Sequence, residues 1–103
     1  MKIFLFLTIA SLLGSVSGPV VASMELAKKN HCFACHAVDH RVIGPSFKEI
    51  ARKYTNDKTA QARLITKVKM GGGGVWGAIP MPPNPQLSDT DVTLLVDWIL
   101  SVR

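Results

Sequence analysis

Two thiols and an imidazole stand together in the run Cys32-Phe33-Ala34-Cys35-His36, and these are the only cysteines in the chain. On a helix of 3.6 residues per turn, Cys35 lies about 60° from Cys32 and His36 about 40° to its other side, so all three side chains share a face. Thiols at that separation suit thioether bonds to the two vinyl groups of one porphyrin, and the adjacent imidazole then points at the iron. C-x-x-C-H is accordingly the attachment signature of a c-type haem. The pattern asks the rest of the chain for a sixth ligand and a haem-sized pocket.

The loop from Gly71 to Pro85 is too long for a mere connector, and its centre is Pro80-Met81-Pro82-Pro83. Prolines fix φ and push the preceding residue toward extended conformations, so Met81 is held on a stiff backbone. A thioether presented this way suits the second axial position, and a His/Met pair raises the reduction potential relative to two histidines. Met24, Met70, His31 and His40 are worse placed. Trp76 has two readings, closing the pocket edge with its indole N–H toward a haem propionate or packing in the core. The glycines also have two, slack in the chain or room for a close approach to the porphyrin edge. No P-loop pattern accompanies them.

The elements that must position these residues are helical. Ser23 to His36 reads as one helix. Ser46-x-x-Glu49 is a capping box opening a second, with Phe47, Ile50, Ala51 and Tyr54 on its apolar face. Thr55-Asn56-Asp57 breaks that helix. Asp57 is expected to cap a third running to about Met70, with Leu64, Ile65 and Val68 buried, and Gly71 to Gly74 end it. Ser88-x-x-Asp91 starts the last helix, which has one apolar stripe of Val92, Leu95, Val96 and Ile99 and a second of Leu94 and Trp98. A helix apolar over so much of its girth must be held on more than one side. No strand-period segment or internal repeat is found, and the expected class is all-α.

The front of the chain reads as a leader. Lys2 precedes an apolar run from Ile3 to Leu13, and Val20-Val21-Ala22 offers small residues for cleavage, which assigns 1–22 to a signal peptide and 23–103 to the folded domain. The apolar run falls short of the roughly 20 residues a bilayer span needs. An uncleaved anchor is the alternative, and Gly14, Gly18 and Pro19 count against it. The net charge of +5 favours acidic protein partners or anionic surfaces. Export and the lack of a concentrated basic run disfavour nucleic acid. A folded domain this short is marginal in its core, and a covalently held haem would act as a staple.

Four stretches carry a family likeness: Cys32 to His36, Val42-Ile-Gly-Pro45, Gly74-Val-Trp-Gly-Ala-Ile-Pro-Met-Pro-Pro-Asn84, and Asp97-Trp-Ile-Leu-Ser101. From about Met24 to Arg103 the chain resembles the small class I cytochromes c of the bacterial c551/c552 (c8) group. The resemblance implies the class I cytochrome c fold, four main helices wrapped around one haem c bound through Cys32 and Cys35, with His36 and Met81 as axial ligands. It implies that the Pro45 carbonyl accepts a hydrogen bond from the other ring nitrogen of His36. Trp76 and Lys67 match positions that contact a propionate, and Asn84 one that hydrogen-bonds near the Met sulfur. His31 departs from the pattern, standing where the family usually has Gly.

The expected function is that of a soluble periplasmic one-electron carrier rather than an enzyme, a monomer without stable membrane insertion once the leader is removed. By family analogy its partners are an upstream quinol-oxidising complex and an acidic acceptor such as a nitrite reductase or terminal oxidase. A dithiol oxidoreductase would need a strand before the motif. A zinc module built on Cys32, Cys35, His36 and His40 would need a longer spacer between ligand pairs. A haem sensor or peroxidase would need the sixth position open.

Overall fold

Ser46 Oγ accepts from the Glu49 N–H at 3.0 Å while the Glu49 carboxylate accepts from the Ser46 N–H at 2.9 Å, the full reciprocal box expected from the sequence. It opens the second of four helices in the computed structural model, which describes residues 14 and 18–103. These are α1 (Pro19–Lys29), α2 (Phe47–Lys53), α3 (Ala60–Met70) and α4 (Asp89–Ser101), with a single 3-10 turn over Cys32–Ala34. Among the described residues there is no strand, only two isolated bridges, and the class is all-α as expected. The leader's charged end and apolar run lie outside the described residues. Its expected cleavage point, between Ala22 and Ser23, falls inside α1.

The first helix is shorter than its pattern suggested. It ends at Lys29, with Asn30 as C-cap, and His31 then takes a left-handed conformation at φ 60°. The expectation of one helix from Ser23 to His36 is therefore corrected, because a left-handed residue cannot continue a right-handed helix. Asn30 closes the helix by donating to Leu26 O from both its backbone N–H (3.1 Å) and its side-chain amide (2.8 Å). The positive φ at His31 also gives a physical reason for a glycine at this position, since glycine adopts that region without steric cost.

Helix α4 is the axis of packing, touching α1, α2 and α3. Val92, Leu95, Val96 and Ile99 are buried, and so is Trp98 of the second stripe, whereas Leu94 is only half-buried. On α1 the small residues Ser23 and Ala27, one turn apart, are fully buried, and Ser23 Oγ donates to Leu94 O at 3.4 Å. Phe47, Ile50 and Ala51 of α2 and Tyr54, its C-cap, which together form the expected apolar face, are all buried. On α3 only Val68 and Ala60 are buried, while Leu64 and Ile65 stay half-exposed.

Asp57 does not cap α3 directly. Thr59 is the N-cap, and Asp57 Oδ1 accepts from both the N–H (2.9 Å) and the hydroxyl (2.7 Å) of Thr59, holding the turn from which the helix starts. Those bonds, hydroxyl first, hold the Asp57 carboxyl below its ordinary value. A depressed carboxyl adds stability above its unfolded pKa and loses it as pH falls through the folded one. Amide protection at the start of α3, taken relative to the intrinsic exchange rate at each pH, is therefore expected to fall on acidification below the usual carboxylate range, and to show less pH dependence in Asp57→Ala. Ser46→Ala should cost about 1 kcal/mol in reversible thermal unfolding, with helical content unchanged.

Candidate functional site

Ile43 and Gly44 both donate their N–H groups to Cys35 O, at 3.2 and 2.7 Å, and so fold the chain back over the attachment motif. The turn that carries the motif is 3-10 at its start. Cys35 N–H donates to Cys32 O at 3.2 Å, and His36 N–H to the same oxygen at 2.9 Å. At 3.0 residues per turn, side chains three apart eclipse, so Cys32 and Cys35 emerge on the same side without the α-helix assumed from sequence. Burial pushes the Cys32 thiol up from its ordinary pKa, which disfavours a reactive thiolate.

His36 is held on several sides. Its Nδ1 lies 2.6 Å from Pro45 O. A carbonyl only accepts, so Nδ1 carries the proton and Nε2 keeps its lone pair free for a metal. Gly44 leaves no room beside the ring, since a Cβ there would lie 2.7 Å from His36 Cε1 and 3.1 Å from Nδ1.

The Met81 loop is pinned by backbone pairing. Met81 N–H donates to Gly72 O at 2.9 Å and Gly72 N–H to Met81 O at 3.0 Å. Gly71 turns α3 into this bridge at φ 70°, where a Cβ would crowd Met81 O and come within 2.8 Å of Pro83 N. Asn84 ties the far end of the loop to α3. Its N–H and its side-chain amide donate to Val68 O at 3.0 and 3.2 Å, and the amide also reaches Pro82 O at 3.3 Å.

Between these two walls is a cavity of about 330 Å³, lined by Cys32, Cys35, His36, Pro45, Lys67, Trp76 and Met81 with mostly apolar neighbours. Asn84 does not line it. The rivals Met24, Met70, His31 and His40 are also absent from its walls, and Met70 is 74 % exposed at the end of α3. Leu64 and Val68 face the cavity, which is why Leu64 stays partly open. The size falls in the ordinary range for small-ligand sites. Arg41, Arg63 and Lys67 are the charged residues of the wall, and no carboxylate is among them. A flat, apolar ligand with acidic substituents, covalently attachable to two thiols and ligated by soft and nitrogen donors, fits this set of groups. Haem answers to that description.

The sequence did not single out the cations around Trp76. Arg41 and Lys53 approach its ring to 6.0 and 5.5 Å from the centroid, a cation–π arrangement on a half-buried indole. Lys53 belongs to the solvent side of α2 in the helical pattern, and only the tertiary fold brings it to the loop.

The cytochrome c family matches residues 20–103. This chain is a member of the cytochrome c family. It is 50% identical over 88 residues to cytochrome c-552 of Nitrosomonas europaea, covering 85% of each chain. It is 39% identical to cytochrome c-552 of Hydrogenobacter thermophilus across the full length of both. The crystal structure of the Nitrosomonas europaea cytochrome c552 superposes with a TM-score of 0.74 at 51% identity, covering 78% of this chain and 99% of that one. The cytochrome is thus of the small class I c551/c552 kind, with the class I fold and one haem c attached through Cys32 and Cys35. It is a monohaem electron-transfer protein.

Gly44→Ala should destabilise the cytochrome by about 1–3 kcal/mol in denaturant unfolding, because His36 is too well held to yield to the added methyl. A neutral result would mean that the ring has slack.

Proposed function

We propose that this cytochrome is an exported periplasmic carrier, not an enzyme, that passes single electrons through an iron held between His36 Nε2 and Met81 Sδ. The observation that carries this reading is the 2.6 Å bond from His36 Nδ1–H to Pro45 O, which leaves Nε2 as the free nitrogen in a cavity that Met81 also lines. When bound, the haem supplies a one-electron ferrous/ferric couple, and a His/Met pair holds it at a higher potential than two histidines. Pro45 fixes the tautomer of His36 and makes the ring a better donor. The Gly72 pairing and the prolines keep Met81 in one place through both oxidation states. Lys67 and the indole of Trp76 are suited to the propionates, with Arg41 and Lys53 adding positive charge to that edge. Asn84 supports Met81 indirectly, by tying its loop to α3.

Val42, Ile43, Val75 and Ile79 are exposed, and the last three line the cavity. Such an apolar margin, with cations nearby, supports brief docking of acidic redox proteins, steered by charge and released quickly. A quinol-oxidising complex as donor and a nitrite reductase or terminal oxidase as acceptor are of the right chemistry. The N-terminal leader would deliver the chain to the periplasm.

Met81→Ala should abolish the weak sulfur-to-iron charge-transfer band of the ferric protein and lower the reduction potential. An unchanged ferric spectrum would mean that another group is the sixth ligand. Cys32→Ala should leave haem held by one thioether or none and lower the thermal midpoint, since the cavity is part of the core; a variant as heat-stable as the parent would contradict that.

A further inference from the structure

One hydrogen bond chooses the free nitrogen of His36 but leaves the ring able to rock about it. The flat face of the imidazole is held by something else. Phe47 lies against it with centroids 5.3 Å apart and planes 20° from parallel, a stacked pair. Phe47 is itself immobile: it is 2 % exposed, and the edges of two further aromatics bear on it. Trp98 of α4 meets it at 5.3 Å and 68°, and Phe33, between the two cysteines, at 5.8 Å and 71°. Its backbone N–H donates to Ala37 O at 2.9 Å, tying the first residue of α2 to the residue after His36.

We propose that Phe47 is a positioning residue for His36, its ring clamped between Phe33 and Trp98 so that its face sets the rotation of the imidazole plane. This rests on the reading of His36 as an axial ligand. Pro45 and Phe47 divide the work, since the carbonyl fixes which nitrogen is presented and the phenyl face fixes the angle at which it is presented. Through Trp98 the same contact links the ring to the central helix of the core, and through Phe33 to the attachment motif.

The orientations of both axial groups, the imidazole plane and the Met81 sulfur lone pair, set the magnetic axes of a low-spin ferric haem and with them the order and spread of the haem methyl resonances. A shifted pattern therefore reports the imidazole where the Met81 methyl resonance keeps the parent's position. A purely structural role for Phe47 would change stability and leave that order alone. The test is proton NMR of the ferric haem-loaded protein for the parent, Phe47→Leu, Phe47→Tyr and Phe33→Leu, with helical content and covalent haem verified for each. Leucine fills similar space without a flat face, so Phe47→Leu should shift the methyl pattern. Phe47→Tyr, which keeps the face, should retain the parent's order, and Phe33→Leu should move the pattern less than Phe47→Leu. A folded Phe47→Leu whose methyl pattern superimposes on the parent's would overturn the proposal, and so would a Tyr variant displaced as far as the Leu variant. Should Phe47→Leu fail to fold, Phe47→Met, equally without a flat face, takes its place, and a folded Phe47→Met with the parent's methyl pattern overturns it. A parent lacking a low-spin His/Met spectrum would instead remove the ligation reading, so the two failures are distinct.

Discussion

The bond from His36 Nδ1–H to the Pro45 carbonyl is the constraint around which this small protein is arranged. An imidazole with one nitrogen occupied presents the other, and here the occupying group comes from the chain nine residues on. Four consecutive residues are committed to that end. Gly44 leaves the space for the ring, Pro45 supplies the acceptor, Ser46 caps α2, and Phe47 lies against the imidazole face. The start of α2 is thereby fixed relative to the attachment motif by short-range contacts alone. The N–H groups of Ile43 and Gly44, both bonded to Cys35 O, close the same loop from the other side.

On the opposite wall, the thioether of Met81 is carried on non-helical backbone held by strand-like pairing. Among the described residues the fold has two isolated bridges, His36 with Arg41 and Gly72 with Met81, and each includes a residue whose side chain lines the cavity. Backbone polar groups outside helices need partners. At Gly72 and Met81 the pairing that satisfies them also holds the backbone from which the Met81 side chain projects. Gly71 turns the chain out of α3 and Asn84 ties it back to α3, so the long loop between α3 and α4 is anchored at both ends.

Much of this was legible in the sequence because the signals are local. The capping box at Ser46, the apolar stripe of α4 and the proline-flanked Met81 are each written within a few residues. The end of α1 was misread. The apolar spacing of Leu26 and Phe33 fits a continuing helix, whereas Lys28, Lys29 and Asn30 are the stop signal and the left-handed turn falls on His31, not a glycine. Cys32 and Cys35 still share a side, because a 3-10 turn superposes positions three apart even better than an α-helix does. Contacts between segments far apart in the chain were not legible. The half-exposure of Leu64 depends on the cavity it borders, the cations at Trp76 on how α2 meets the loop, and the Trp98 edge against Phe47 on the packing of α4 across the core.

Ligation by His36 and Met81 together is what this reading of the cavity stands on. Proton NMR of the reduced, diamagnetic protein, with methionine methyls isotopically labelled, tests it directly. A methyl held over the porphyrin face should be carried far upfield by the ring current, and it should be assigned to Met81. All methionine methyls at ordinary shifts, or an upfield methyl belonging to Met24 or Met70, would rule out Met81 as the second ligand.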